Sequence, residues 1–328
     1  VVTLSLGILF LARIMNIGID MMGGDLAPLE TVKGIHDYYS AGPGDAHLFL
    51  IGDTEKINPL LDTYPLPANA YTVVHASQVI DMHEHPTKAL KEKRESSIAV
   101  GFHLLATSKI DAFISAGNTG AMLVGSLYSL KPVDGVFRPT ISTIIPKENG
   151  QTGLLLDVGL NSDCKPEHLN QFATMGTVYA QQILGIENPR VALLNIGEEE
   201  GKGNLLAQAT YPLLKENKHI NFVGNAEGRD VFMDKADILV CDGFTGNIIL
   251  KMAESFHTIT QQKNIQHEYF DRFNFENYGG TPVLGVAKPV IIGHGISKAL
   301  AFKNMILLAE KMIQTGIMDK LKTEVAAE

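Results

Sequence analysis

Asn247 and Lys251 stand four residues apart in "TGNIILKMAES", so a helix over this stretch puts a carboxamide and an ammonium on one face. The amide is expected to begin the helix, with the ammonium one turn above it. That pairing suits a carbonyl and a phosphate held side by side. The amide donates to an oxyanion developing on the carbonyl, while the lysine holds and orients a phosphate nucleophile. Lys202 lies between glycines in "NIGEEEGKGNLLAQ", after an acidic run and just before a predicted helix start, where a lysine can reach over an anion as a mobile point charge. Plainer roles fit the same spacing, a helix cap for Asn247 and a solvated loop lysine for Lys202. A phosphate dianion needs desolvation and aim more than a strong base, and the chain shows no Ser-His-Asp pattern and no G-x-S-x-G. Cys241, at a strand end, reads as a small buried residue rather than a nucleophile.

Asn247 belongs to a set of joints where an apolar run ends in small residues and a helix begins. Gly23, Gly24 and Asp25 form one, Asn118 and Thr119 in "ISAGNTGAM" another, and Asn161 in "DVGLN" a third. Asp242, Thr245 and Gly246 in "VCDGFTGNII" and His294 in "IIGHG" complete the set. A strand feeding a helix start leaves backbone N–H groups free, with the positive end of the helix dipole behind them. Any α/β protein also needs glycine at such turns. The functional reading therefore rests on the amides, hydroxyls and carboxylates added to the glycines, which are taken as the substrate- or phosphate-binding set. The first turn reads "DMMGGD" rather than G-x-G-x-x-G, and no G-x-x-x-x-G-K-[ST] occurs, which disfavours a dinucleotide oxidoreductase and a P-loop hydrolase. Eleven His and two Cys fall without metal-ligand spacing, so no metal site is expected. Lys88, Lys91, Lys93 and Arg94, ahead of Ser96 and Ser97, read as a solvated helix face able to add a second anion contact.

Strands and helices must alternate to carry these joints, and they do. Short apolar runs such as "MNIGID", "HLFLIGD", "DAFISAG", "RVALLNIG" and "PVIIGHG" alternate with helical stretches such as "PEHLNQFATMGTVYAQQIL" and the final "ISKALAFKNMILLAEKMIQ". The pattern predicts an α/β protein with a mainly parallel sheet covered on both faces. "TISTIIP" and "TGLLLDVG" are the pair expected to be antiparallel or at an edge. The expected organisation is one catalytic domain over residues 15–328, with an irregular excursion at about 262–288 that is either lid-like or faces a second copy. Of the 328 residues, 45% are hydrophobic and 19% charged, as in ordinary globular proteins. A net charge of −9 and the absence of Trp argue against a broad nucleic-acid surface. Two unpatterned cysteines fit a reducing cytoplasm. Residues 1–14, "VVTLSLGILFLARI", are apolar but fall short of the roughly 20 residues of a spanning helix. They are expected to be an extension ahead of a natural start at Met15, with a membrane-lying or partner-binding arm as the alternative.

"IGIDMMGGDLAP", "SAGNTGAM", "DVGLNSDCKPEHLNQFATMG", "RVALLNIGEEEGKGN", "VCDGFTGNIILK" and "NYGGTPVLG" resemble, in order, the bacterial phosphate acyltransferases. The resemblance runs from about Met15 to the last helix. It implies conversion of acyl-acyl-carrier-protein and inorganic phosphate to acyl phosphate and free carrier protein. It also implies a three-layer α/β/α sandwich similar to the isopropylmalate dehydrogenase and phosphotransacetylase group, assembled as a homodimer. Lys202, Asn247 and Lys251 are the implied catalytic residues. No permanently bound cofactor is implied, the phosphopantetheine arm arriving on the carrier protein. The product would pass to a membrane glycerol-3-phosphate acyltransferase, from a cytoplasmic enzyme with a peripheral station at the inner face of the membrane. The chain departs from the family at Met21 and Leu160, where alanine is usual, each able either to narrow a pocket or to enter the core. Its stretch before "NYGG" is short and polar where many relatives carry an apolar hairpin. Two alternatives stand beside this reading: a phosphotransacetylase-like enzyme using coenzyme A, and a non-catalytic carrier-protein scaffold.

Overall fold

The computed structural model describes residues 14–42 and 44–326, so the apolar extension lies outside the described residues apart from Ile14. Eleven strands form one sheet: β1 (Met15–Asp20), β2 (Ala46–Gly52), β3 (Tyr71–His75), β4 (Ala112–Ser115), β5 (Thr140–Pro146), β6 (Thr152–Leu156), β7 (Arg190–Leu194), β8 (Asn221–Ala226), β9 (Ile238–Val240), β10 (Thr281–Leu284) and β11 (Val290–Ile292). Their spatial order is β3-β2-β1-β4-β11-β10-β5-β6-β9-β7-β8. The first five are mutually parallel, as are the last four. Between them β10 pairs antiparallel with both β11 and β5, and β5 pairs antiparallel with β6.

These reversals make the two parallel sets run in opposite directions. Thr281 stands opposite Ile292, Val283 opposite Ile141, and Leu156 opposite Ser142. The carboxyl ends of β11 and β6 thus both come level with the middle of β5. The Gly-rich joints of one set face those of the other across the centre of the sheet, where a single open parallel sheet would line them along one edge. The expected antiparallel pair is indeed antiparallel, and central rather than at an edge.

Helices α1 (Leu29–Ser40), α2 (Thr54–Thr63), α3 (Pro86–Glu92), α4 (Ser97–Ala106), α5 (Thr119–Ser129), α6 (Pro166–Tyr179), α7 (Leu205–Glu216), α8 (Gly243–Gln262), α9 (Glu268–Asp271), α10 (Ala299–Gln314) and α11 (Ile317–Ala326) flank the sheet. One core joins Ile17 and Ile19 of β1 to Ile35 of α1, Phe172 of α6 and Phe302 of α10. The other joins Phe113 of β4 and Leu155 of β6 to Phe102 of α4, Met122 of α5 and Leu250 of α8. This is the three-layer arrangement. Met21 is fully buried in the first core, so the enlarged side chain at that position is spent on packing. Leu160 packs half-buried against the second.

Sequence patterning misses β10, which lies inside the stretch expected to be irregular as far as residue 288, and it ends the chain's helices at Gln314, missing α11. The apolar last helix, like the excursion, reads in the sequence as surface for a two-fold contact. Instead Phe302, Met305, Ile306 and Met312 are buried against the sheet. No helix among the described residues is long and apolar enough to cross a membrane.

Candidate active site

After β6 the chain turns around a buried carboxylate. Asp157 accepts backbone N–H bonds from Gly159 at 2.9 Å, Leu160 at 3.0 Å and Asn161 at 2.9 Å, and a fourth from Asn161 Nδ2 at 2.6 Å. Burial pushes the Asp157 carboxyl above its ordinary range, against the lowering effect of these donors. Asn161 Nδ2 also donates to the Pro139 carbonyl at 2.8 Å. Helix α8 starts against this turn. Asp242 caps it, accepting from Thr245 N and Thr245 Oγ1, each at 2.9 Å. A Cβ at Gly246 would stand 1.8 Å from the Asp157 carbonyl oxygen, so the helix passes at backbone contact and only glycine fits. Asn161, Asp242, Thr245 and Gly246 thus build the corner, with their hydrogen bonds directed at one another, at Asp157 or at main chain.

Asn247 lies a full turn inside α8, and the cap is Asp242, so the expectation that the amide begins the helix is corrected. Its Nδ2 donates to the Val158 carbonyl at 3.0 Å. A carboxamide nitrogen carries two hydrogens. One bond fixes the amide's orientation, and the second N–H has no protein partner among the described residues.

Across the centre, the other set of joints is knitted in the same way. Ser115 Oγ and Met22 N donate to the buried Asp20 carboxylate at 2.6 and 2.9 Å, and Gly23 lies against that carboxylate. Gly24 takes a φ of +101°, a conformation glycine adopts without strain. Asp25 N then donates to the Gly295 carbonyl at 2.8 Å, tying this turn to the one after β11. Asn118 is buried and caps α5 through Ala121 N at 2.9 Å, while its Nδ2 donates to the carbonyls of Asp81 at 2.9 Å and Glu84 at 3.1 Å. It holds the 81–84 loop in place and leaves the neighbouring Thr119 facing the open space.

That space is a cavity of about 390 Å³. Along β5 it passes from Ile141, beside Val158 and Asn247, to Pro146, beside Phe232 and Phe273. Lys251, Glu254 and His294 supply its polar wall. Lys251 Nζ lies 2.9 Å from Glu254 Oε2, and His294 Nε2 lies 3.7 Å from the same oxygen. Burial raises the Glu254 carboxyl, but the His294 and Lys251 contacts outweigh it and hold the group below its ordinary value. His294 Nδ1 is buried without a hydrogen-bond partner among the described residues, and its ring lies 4.9 Å from that of Phe275. Sequence reasoning missed Glu254, although it follows Asn247 by seven and Lys251 by three, on the same helical face.

Lys202 is not among the residues lining the cavity. It is exposed in the β7–α7 loop, where Glu200 pairs with Lys215 and Glu198 with Lys235. Two of the three glutamates of the acidic run are thus engaged elsewhere, and among the described residues Lys202 has no ion-pair partner. No group of three or more His, Cys, Asp or Glu that could hold a metal occurs among the described residues.

A family model described as "Fatty acid synthesis protein" matches residues 15–320. The phosphate acyltransferase of Dictyoglomus turgidum is 43% identical over 330 residues, covering 94% of this chain and 96% of that protein. That of Aquifex aeolicus is 44% identical over 328 residues, covering 94% and 96%. The chain belongs to the bacterial phosphate acyltransferase family. As a phosphate acyltransferase family member it is an acyltransferase enzyme, and its fold is found in more distant proteins. A phosphotransacetylase from Streptococcus pyogenes superposes with a TM-score of 0.65 at 18% identity, covering 92% of this chain and 95% of its own. A branched-chain phosphotransacylase from Enterococcus faecalis superposes at 0.60 with 17% identity, covering 92% and 99%. For this phosphate acyltransferase family chain, the geometry brings together Asn247, Lys251, His294 and Thr119 of the residues singled out from sequence. Lys202 stands apart from them, and Asn118, Asn161, Asp242 and Thr245 are scaffold.

Proposed function

We propose that the chain transfers a fatty acyl group from the thioester of acyl carrier protein to inorganic phosphate, as the start of phospholipid synthesis. The observation that carries this is one cavity with an apolar course along β5 and an amide, an ammonium and a histidine on its wall. The acyl chain occupies the apolar part and the thioester carbonyl lies beside Asn247. A phosphate oxygen held by Lys251, with Lys202 guarding the approach, attacks the carbonyl carbon. The free N–H of Asn247 meets the oxyanion as it forms. Collapse breaks the C–S bond, releasing the phosphopantetheine thiolate on its carrier and leaving acyl phosphate, with no cofactor consumed.

A homodimer belongs to the same proposal. The stripe of Phe244, Ile248, Met252 and Ile259 exposed along α8 supports it, since apolar residues at near-helical spacing on a surface suit a two-fold contact. Cytoplasmic work at the inner face of the membrane, handing acyl phosphate to a membrane glycerol-3-phosphate acyltransferase, is part of the same proposal.

The test is an assay of purified protein with acyl-acyl-carrier-protein or acyl-coenzyme A, with and without phosphate, following acyl phosphate and free thiol together. Carrier-protein thioester should be consumed only when phosphate is present. Preference for acyl-coenzyme A would move the reading to a phosphotransacetylase-like enzyme, and consumption of neither would leave a scaffold.

A further inference from the structure

We infer that Phe232 and Phe273, backed by Phe256, are the ruler that sets how long an acyl chain this enzyme accepts. The inference rests on the transferase reading above. Between Ile141 and Pro146 the cavity follows β5 for about 17 Å at the rise of an extended strand. Ile145, Leu155, Leu250 and Ala253 face it on the way, so this course is mainly apolar, with Thr143 midway and Arg272 among its lining.

Rings line the far end of this course. Phe232 comes from the β8–β9 connection and Phe273 from the excursion after α9, two segments far apart in sequence. Their centroids lie 5.3 Å apart, and Phe256 of α8 stands 5.7 Å from the first and 5.3 Å from the second, all edge-on. Phe273 is buried, at 8% exposure.

Backbone contacts to the β5–β6 turn hold this wall. Glu148 N donates to the Phe232 carbonyl at 2.9 Å. Arg272 Nη1 donates to the Lys147 carbonyl at 2.9 Å and Nη2 to the Gln151 carbonyl, which points its guanidinium out at the turn. Tyr269 Oη reaches the Pro146 carbonyl at 3.3 Å. A wall fixed at three points to a strand hairpin cannot retreat at little cost from one methylene too many, and a shorter chain leaves the rings without contact.

The experiment is a series of acyl-carrier-protein substrates from octanoyl to stearoyl at saturating phosphate, run on wild type, Phe232→Ala, Phe273→Ala and Thr143→Leu. Thr143 lines the cavity midway along β5, so a leucine there shortens the available course. The Phe variants should shift the long-to-short ratio of kcat/KM toward longer chains by roughly tenfold, and Thr143→Leu should shift it toward shorter ones by a similar factor. Melting curves identify any variant that fails to fold, in which case the Thr143 variant decides alone. Wild-type turnover with unshifted profiles in the folded variants overturns the ruler. Wild type that forms no acyl phosphate from any substrate overturns the transferase reading and the ruler with it.

Discussion

Two groups of charge lie at different levels of the same sheet and are built on different terms. Where β7 and β9 begin, Lys147 Nζ sits 2.5 Å from Asp237 Oδ1 and 3.1 Å from Asp234 Oδ1, and Arg190 Nε sits 3.0 Å from Asp237 Oδ2. The Lys147 side chain is only 2% exposed, and each charge there is met by an opposite one. At the cavity, Lys251 is 56% exposed and Glu254 serves both Lys251 and His294 from one oxygen. The first group saturates its own charges and holds the strands' amino ends. The second leaves hydrogen-bonding capacity open toward space. A cluster's unspent capacity, more than its content of charged residues, separates a binding site from a structural knot.

The largest effect that would break this contrast is on stability. Asp237→Asn leaves the buried Lys147 ammonium with only the part-exposed Asp234 as a counter-ion and should cost about 3 kcal/mol in urea unfolding. Burial raises the Asp237 carboxyl, but Arg190 and Lys147 override it and hold the group well below its ordinary value of 3.8. Its contribution is therefore complete above that ordinary value and is lost as pH falls through the lower folded one. The gap between wild type and variant should be full near neutrality and close in strong acid. Equal stability at neutral pH would mean that the knot does no folding work.

Asn247→Ala comes next, and its effect should be on rate. Loss of the free N–H should lower kcat about a hundredfold, near 3 kcal/mol. Unfolding should change by only about 1 kcal/mol, the worth of the bond to Val158. Asn247→Ser shortens the side chain and should not restore the rate. Wild-type turnover in Asn247→Ser would remove the oxyanion role. For the lysines, Lys251→Ala should raise the KM for phosphate about tenfold, and Lys202→Ala by less, because Lys202 lies off the cavity. Phosphate titration of both variants checks the order. A larger effect at Lys202 would place the anion at the β7–α7 loop instead.

Much of this architecture is legible in the sequence, because buried strands read as apolar runs and each joint announces itself by glycine. β10 is not, since "TPVL" begins with a proline's neighbour and follows two glycines, signals that read as loop; pairing with β11 and β5 on both sides makes it a strand. The opposition of the two parallel sets is equally hidden. It depends on which strand pairs with which, and local pattern carries no information on that. In the site, Asn247 and Lys251 are legible from spacing. Asn118 and Asn161 are misleading for the same reason they look attractive, since an amide at a turn can as well serve the chain's own carbonyls. Glu254 was within reach of helical spacing, but its meaning depends on His294, which arrives from a distant strand end.

The smallest expected effect is the one that sharpens the comparison most, because it asks what Glu254 does when its charge alone is removed. Glu254→Gln keeps the side chain's length and its ability to accept one hydrogen bond from Lys251. It removes a negative charge from the wall that faces the phosphate. If the cavity wall is a binding site, that charge opposes the anion while aiming the lysine, so its loss should lower the KM for phosphate about twofold and lower kcat by a similar factor. The stability change should stay under about 1 kcal/mol, as for any pair with an exposed partner. Because the folded carboxyl sits below its ordinary value of 4.5, this small contribution is present above that value and disappears as the wild type is acidified through the lower one. Urea unfolding of wild type and variant near neutrality and in acid, paired with phosphate titrations at neutral pH, measures both. A cost of several kcal/mol with no change in phosphate dependence would make this cluster a second structural knot, and the distinction between the two regions would fail.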